Sequence, residues 1–135
     1  MKNLRKIRVV AGAIVKNNHL LVAQRNENMS SPLCWEVPGG KVEEGESDPQ
    51  ALIRELQEEL DIEVLVERFL ASSSVVIHNR VIEMFVYHCT IKKGMPRALE
   101  HKEIQWATPE QLLSLRWAPA DIPLIDQFVD CTKGN

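Results

Sequence analysis

The acidic residues Glu55, Glu58 and Glu59 are spaced so that a helix would bring their carboxylates together. At 100° per residue they fall within an arc of roughly 100°, which borders an apolar face formed by leucines of the same segment. Like charges at these spacings repel one another by roughly a few tenths of a kcal/mol per pair in an isolated helix. A divalent cation would offset that repulsion, since Mg²⁺ takes carboxylate oxygens and keeps positions free for phosphate oxygens. The spacing therefore predicts a Mg²⁺ site, which Mn²⁺ can also occupy; the alternative is a solvated acidic face.

The residues around this segment favour the metal site over the solvated face. Pro38-Gly39-Gly40 precedes the helix, and we expect a sharp turn there, in which two residues can take positive φ without steric cost. A carbonyl of that turn can face the same ion. Arg54 lies on the flank opposite the leucines, where its fork of donors can hold a carboxylate in place.

The pattern along the chain indicates alternating strands and helices. Ser47 and Gln50 have capping-box spacing with Pro49 in the first turn, so we expect a helix over 48–60. The other predicted elements are a hairpin of 7–15 and 20–23, a short strand at 35–37, antiparallel strands near 62–77 and 81–91, a short strand at 103–107, and helices at 109–115 and 122–129. This order predicts a layered α/β or α+β fold.

Length and composition indicate a single domain over residues 1–135. A hydrophobic content of 44% is enough for a core without disulfides, and Cys34, Cys89 and Cys131 fit reduced thiols. No apolar run approaches membrane-spanning length, so we expect a cytoplasmic protein that does not enter a membrane. The net charge of −3 excludes a broad basic field of the kind that binds long nucleic acid. The expected partner is a small phosphorylated ligand met by local arginines or metal ions.

The segment GGKVEEGESDPQALIRELQEELDI resembles the Nudix box, G-x5-E-x7-R-E-U-x-E-E-x-G-U with U apolar. The positions in register are Gly40, Glu46, Arg54, Glu55, Leu56, Glu58, Glu59 and Ile62. Asp61 replaces the second glycine, and Asp is one of the few residues that tolerate the left-handed conformation of a helix end. The segments LLVAQR, WEVPGGKVE and APADIPLIDQF extend the resemblance toward the MutT branch and its subgroup of bacterial CTP pyrophosphohydrolases.

The resemblance implies a Nudix fold, a mixed β-sheet sandwiched between α-helices. It also implies a metal-dependent hydrolase of phosphoric anhydride bonds that releases a nucleoside monophosphate and pyrophosphate from a nucleoside triphosphate. Glu55, Glu58, Glu59 and the Gly39 carbonyl are the implied metal ligands. Among the expected catalytic residues, Glu58 is favoured as the general base with Glu55 as a rival, and Arg54 supports them.

Further site residues follow from the same resemblance. Glu100 lies six residues before Trp106 and is the expected outlying metal ligand and a second rival base, with Glu103 as its alternative. Arg25 and Arg80 match positions that contact phosphate or nucleoside; each could instead be a surface charge. Phe85, like the tryptophans, is expected as core or pocket wall that can stack on a base. No histidine is assigned a role.

Asp121 is the residue expected to read the base. In the MutT branch the corresponding motif carries an asparagine that contacts an oxidised guanine, and here APAD carries an aspartate. An ionised carboxylate only accepts hydrogen bonds, and cytosine offers an N4 amine where uracil and thymine present a carbonyl. We therefore expect CTP, dCTP and modified pyrimidine nucleotides as substrates. The alternatives are oxidised dGTP, other nucleoside diphosphate derivatives, and a role of Asp121 as helix N-cap only.

Overall fold

A mixed β-sheet organises residues 3–133, the part of the chain described by this computed structural model. In chain order the elements are β1 (Arg5–Lys16), β2 (His19–Gln24), β3 (Trp35–Glu36), β4 (Gly39–Lys41), α1 (Asp48–Leu60), β5 (Glu63–Ile77), β6 (Arg80–Lys93), β7 (Glu103–Ala107), α2 (Pro109–Ser114), a 3-10 turn (Ile122–Leu124) and α3 (Ile125–Thr132). Strand β1 pairs in parallel with β6, while the other pairings are antiparallel. The expected hairpin forms through Asn17 and Asn18, which both have the positive φ that suits a tight turn.

The sheet has a helical layer on each face. On one face, the buried residues of α1 pack against Val10, Leu21 and Val64. On the other face, Phe128 of α3 and Leu112 of α2 pack against β1, β2 and β6. Two separate apolar clusters therefore fix the sheet between helices, which confirms the mixed sheet sandwiched between helices.

Helix α1 begins and ends as the sequence predicts. The Ser47 side chain accepts from the Gln50 backbone N–H, and the Gln50 side chain accepts from the Ser47 backbone N–H. At the other end, Asp61 is left-handed with φ 58° and ψ 40°, and its N–H donates to the Gln57 carbonyl. These two ends fix the position of the glutamates along the helix.

Two local expectations are wrong. Gly39 and Gly40 do not take positive φ, because they lie in strand β4, where Gly39 pairs with Ala11. They are needed for close approach instead, since a Cβ at Gly39 would lie 1.9 Å from the Val10 carbonyl oxygen. The helix predicted over 122–129 is a 3-10 turn followed by α3.

The remaining features of the described chain concern thiols and membranes. Cys34, Cys89 and Cys131 are free, as expected. Within residues 3–133, no helix has the length and apolar character needed to cross a membrane.

Candidate active site

Arg54 holds the loop before α1 against the helix. Its Nε and Nη2 donate to the two carboxylate oxygens of Glu46 at 2.7 and 2.9 Å, and Nη2 also donates to the Lys41 carbonyl. These bonds and the Glu43 backbone lower the pKa of Glu46 to about 2. Arg54 and Glu46 therefore brace the loop against the helix.

Arg54 also reaches the predicted metal ligands. Its Nη1 lies 3.0 Å from Glu55 Oε1 and 3.4 Å from Glu58 Oε1. Glu55 lies so close to β4 that a Cβ at Gly40 would meet its Oε2 at 1.9 Å. Burial raises the pKa of Glu55, against the lowering effect of Arg54. The Glu58 side chain is half exposed, which leaves its carboxylate open to solvent.

Glu59 is the most buried acid of the helix. Burial, followed by the charges of Glu55, Glu36 and Glu100, raises the pKa of Glu59 to about 9, while the Gly39 backbone amide acts in the opposite direction. Its Oε1 atom is buried and has no hydrogen-bond partner among the described residues. An unpaired buried oxygen is costly, and several carboxylates around one buried point favour either a proton or a cation there.

This donor set fits a divalent cation. Mg²⁺ and Mn²⁺ take carboxylate and carbonyl oxygens, and the unpartnered Glu59 oxygen is a free ligand beside Glu55 and the Gly39 backbone. Over residues 3–133, no three acidic, histidine or cysteine side chains already form a closed ligand group.

The loop after β6 brings Glu100 to the acidic cluster. The backbone N–H groups of Arg97 and Leu99 donate to the Leu60 and Glu59 carbonyls at the end of α1. Glu100 thereby contributes to the raised pKa values of both Glu55 and Glu59. Its alternative, Glu103, lies in β7 opposite Gln24 and is exposed. Of the two acids, Glu100 is the one that the fold places near the helix.

A cavity of about 230 Å³ lies beside this cluster and holds the expected nucleotide-binding residues. Arg25, Arg80 and Asp121 all line it, together with Glu36 and apolar residues such as Met84. Arg25 is held by Glu36 at 2.8 Å and by the Ser30 carbonyl and hydroxyl. The cavity thus has apolar walls, two arginines and two acidic residues. This combination suits a nucleotide base and its phosphates.

Asp121 is buried and does not act as a helix cap. Its Oδ2 accepts from the Val37 backbone N–H at 3.0 Å, and its side chain makes no capping bond to the 3-10 turn that follows. Burial, followed by the charge of Glu36, raises the pKa of Asp121 well above its usual range. These surroundings disfavour the charged form of the carboxyl, on which the expected reading of the base was argued.

Phe85 lies away from this cavity. It packs with the α1 cluster, and the Arg8 guanidinium stands 3.8 Å above its ring. Successive residues of a strand point to opposite faces, so Met84 lines the cavity while Phe85 faces the other layer. Phe85 therefore lies in the core, one of the two positions expected for it, and not in the wall of this cavity.

Glu36 and His101 were missed in the sequence. Glu36 accepts from Arg25 through Oε1 and contacts His101 Nε2 through Oε2 at 2.8 Å. The available signal was the position of Glu36, two residues before the Pro38-Gly39-Gly40 segment. His101 gave no signal, because its partner lies 65 residues away along the chain.

Known proteins resemble this chain over almost its whole length. The NUDIX domain pattern matches residues 6–128. The chain is 40% identical over 126 residues to the CTP pyrophosphohydrolase of Escherichia coli K12, covering 93% of each protein. It is also 40% identical over 129 residues to the putative 8-oxo-dGTP diphosphatase 2 of Mycobacterium tuberculosis H37Rv, covering 94% of this chain and 91% of that protein.

Solved structures agree with this assignment. The solution structure of the E. coli ORF135 protein matches with a TM-score of 0.82 and 38% identity, over 98% of this chain and 94% of that one. The MutT protein from Methanosarcina mazei matches the fold with a TM-score of 0.84 at 21% identity, over 98% and 99%. The glutamates of α1 lie beside β4, and the family pattern matches residues 6–128. The chain therefore belongs to the Nudix hydrolase family.

Proposed function

We propose that the protein is a Mg²⁺- or Mn²⁺-dependent pyrophosphohydrolase that converts a nucleoside triphosphate into the monophosphate and pyrophosphate. The observation that carries this proposal is the buried, unpartnered Glu59 oxygen beside Glu55 and the Gly39 backbone, next to a cavity lined by two arginines. One end of the site suits metal ions and the other suits a nucleotide.

The acids share the metal in this proposal, and one of them also takes the proton. Glu55, Glu59 and Glu58, with Glu100 and the Gly39 carbonyl, would hold the metal. When bound, the ions neutralise charge on the polyphosphate and lower the pKa of the attacking water. Glu58 is the proposed general base because its half-exposed carboxylate can reach solvent, while Glu55 lies closer to Arg54, at 3.0 Å against 3.4 Å, and Glu59 is buried.

The arginines of the cavity supply the remaining positive charge. Guanidinium groups suit phosphate oxygens because they offer several donors in a fixed plane. Arg25 is already oriented by Glu36 and Ser30, and Arg80 lies across the same cavity. We propose that these two side chains bind the polyphosphate or the sugar.

CTP and dCTP are the proposed substrates, including forms modified on the pyrimidine ring. Glu36 and Asp121 both line the cavity, and a carboxyl group offers an acceptor oxygen in either protonation state, which favours a base with an exocyclic amine. The E. coli relative named as a CTP pyrophosphohydrolase supports this choice. Oxidised dGTP is the second candidate, because guanine also carries an amine and the M. tuberculosis relative is named for 8-oxo-dGTP.

Substitution of the metal ligands tests the proposal. Glu59→Gln and Glu58→Gln should each lose most nucleotide hydrolysis while the circular dichroism spectrum stays native, since neither change creates a cavity. Activity of the wild type should disappear in excess EDTA and return with Mg²⁺. Full turnover in EDTA, or substantial activity in both variants, would exclude the proposed metal site.

A further inference from the structure

The Glu36 carboxylate lies between Arg25 and His101, and each of them contacts one of its two oxygens. Arg25 Nη1 donates to Oε1 at 2.8 Å, and His101 Nε2 lies 2.8 Å from Oε2. Glu36 also raises the pKa values of both Glu59 and Asp121, so its charge reaches the acidic cluster and the cavity. The orientation of this carboxylate therefore affects both halves of the site.

His101 is held in place from both sides of its segment. Asn26 Nδ2 donates to the Glu100 carbonyl at 2.8 Å, and the Lys102 N–H donates to the Gln24 carbonyl at 2.9 Å. The imidazole points inward, with only 1% of the side chain exposed. Because the His101 ring has a fixed position, its hydrogen bond can hold the Glu36 carboxylate in one orientation.

The only hydrogen bond of the His101 ring among the described residues is the one with Glu36. Since Glu36 Oε2 is an acceptor, His101 Nε2 carries the proton and donates. The other nitrogen, Nδ1, is buried and unpartnered within residues 3–133. A leucine would fill similar space without leaving a buried polar atom unpaired, so the bond to Glu36 is what histidine adds at this position.

The Arg25 guanidinium depends on the same carboxylate. Of its five N–H donors, three are committed, one to Glu36 and two to Ser30. One N–H on each terminal nitrogen is thus left for a ligand in the cavity. If Glu36 turned away, Arg25 would lose the partner on the side that faces His101.

We propose that His101 is a positioning residue for substrate binding, which fixes the Glu36 carboxylate and through it the direction of the Arg25 guanidinium. This inference rests on the proposed function only for the kinetic consequence. The structural part, the chain of contacts from His101 to Arg25, is open to a test that needs no substrate.

Nuclear magnetic resonance of the free protein tests the structural part. The Arg25 Nε–H signal should exchange slowly with water in the wild type, because this donor is bound to the Ser30 carbonyl. It should exchange at least about tenfold faster in His101→Leu, and near the wild-type rate in His101→Gln, whose Nε2 amide can still donate to Glu36. The matched control is Lys102→Ala, which removes only an exposed ion pair with Glu27. Equal exchange in all four proteins would overturn the proposal.

Kinetics test the consequence for the substrate. His101→Leu should raise KM for CTP about tenfold or more, the effect of misplacing one charge-assisted hydrogen bond, with a smaller change in kcat. His101→Gln should recover most of the loss, and Lys102→Ala should match the wild type. In a Glu36→Gln background, His101→Leu should add little further loss, because it acts through Glu36.

The outcomes separate the two proposals. A wild type that hydrolyses no nucleoside triphosphate would refute the proposed function, while the Arg25 exchange rates would still decide the role of His101. Additive losses in the double variant, or a failure of His101→Gln to restore KM, would show that His101 does not act through Glu36 and would overturn the proposal.

Discussion

The Glu59 carboxyl combines burial with proximity to three other acids, and these raise its pKa from an ordinary value of 4.5 to about 9. A carboxyl in that environment stays neutral at physiological pH unless a cation replaces its proton. Metal binding and proton release should therefore be coupled at this residue. The same surroundings that would suit the Glu59 carboxylate to a metal ion disfavour its charged form when no ion is bound.

The pH dependence of metal-free stability tests this description. Because the folded pKa of Glu59 is raised, its contribution is fully present below pH 4.5 and is lost as pH rises toward about 9. In EDTA, the melting temperature of the wild type should fall more steeply between pH 6 and 9 than that of Glu59→Gln. Glu58→Gln, at a half-exposed position, should keep the wild-type slope. Identical slopes for all three proteins would show that Glu59 is not buried as described.

Asp121 lines the cavity, and its side chain accepts one hydrogen bond, from the Val37 backbone N–H. Asp121→Asn keeps an oxygen acceptor for the Val37 N–H, so its melting temperature should stay near the wild type. Asp121→Ala leaves that N–H unpaired and should lower the free energy of unfolding by about 1–3 kcal/mol. If Asp121 reads the base, Asp121→Asn should also change the ratio of kcat/KM for CTP and UTP. An unchanged ratio would remove Asp121 from base recognition.

At the scale of elements, strand β4 sets the depth at which α1 lies. Gly40→Ala would place a methyl group 1.9 Å from Glu55 Oε2, so the Glu55 side chain must turn away from the site. We expect this variant to lose most activity with a modest loss of stability, because a side chain moves more easily than a strand. Gly45→Ala is the control: Gly45 has φ 85° and open space around it, so the cost is backbone strain of about 1 kcal/mol with activity retained. Comparable activity in the two variants would contradict this prediction.

The end of α1 offers a second prediction at this scale. Asp61 has φ 58°, where a β-branched side chain is strained and glycine is not. Asp61→Gly should be neutral or slightly stabilising, since the exposed contacts of Asp61 with Gln57 and Arg97 contribute little. Asp61→Val should destabilise by about 1 kcal/mol or more. Equal melting temperatures for the Val and Gly variants would show that the helix end does not require this conformation.

Helix ends that are set by neighbouring residues were predicted from the sequence. Contacts between segments that are distant along the chain were not. Ser47, Gln50 and Asp61 are neighbours of the turns that they make, so the sequence predicts both ends of α1. The role of Gly39 and Gly40 depends on Val10 and Glu55, which approach only in the fold; their expected turn was wrong for that reason.

The same limit applies to the site. The glutamates of α1 were predicted from their spacing within one helix. His101 and Glu36 meet across 65 residues, and the raised pKa of Asp121 follows from burial, which spacing along the chain does not reveal. The sequence did not show which face of β6 meets the cavity, so it left Phe85 as either core or pocket wall.

At the scale of the whole molecule, the chain has a net charge of −3 and acts on a polyanion in the proposed function. The fold resolves this conflict by gathering charge of each sign locally. The acids lie on α1 and the loop near Glu100, where metal ions would reverse the local charge, and Arg25 and Arg80 lie across the adjoining cavity. An acidic protein can bind a nucleoside triphosphate in this way without a basic surface.

Product analysis of nucleotide hydrolysis tests this account most directly. With Mg²⁺ present, CTP should yield equal amounts of CMP and pyrophosphate, with no orthophosphate formed first. The value of kcat/KM should be about tenfold or more higher for CTP and dCTP than for UTP and dTTP, the effect of one mismatched buried hydrogen bond. A higher value for 8-oxo-dGTP would select the second candidate substrate. Release of orthophosphate and CDP, or no turnover of any nucleoside triphosphate, would contradict the proposed function.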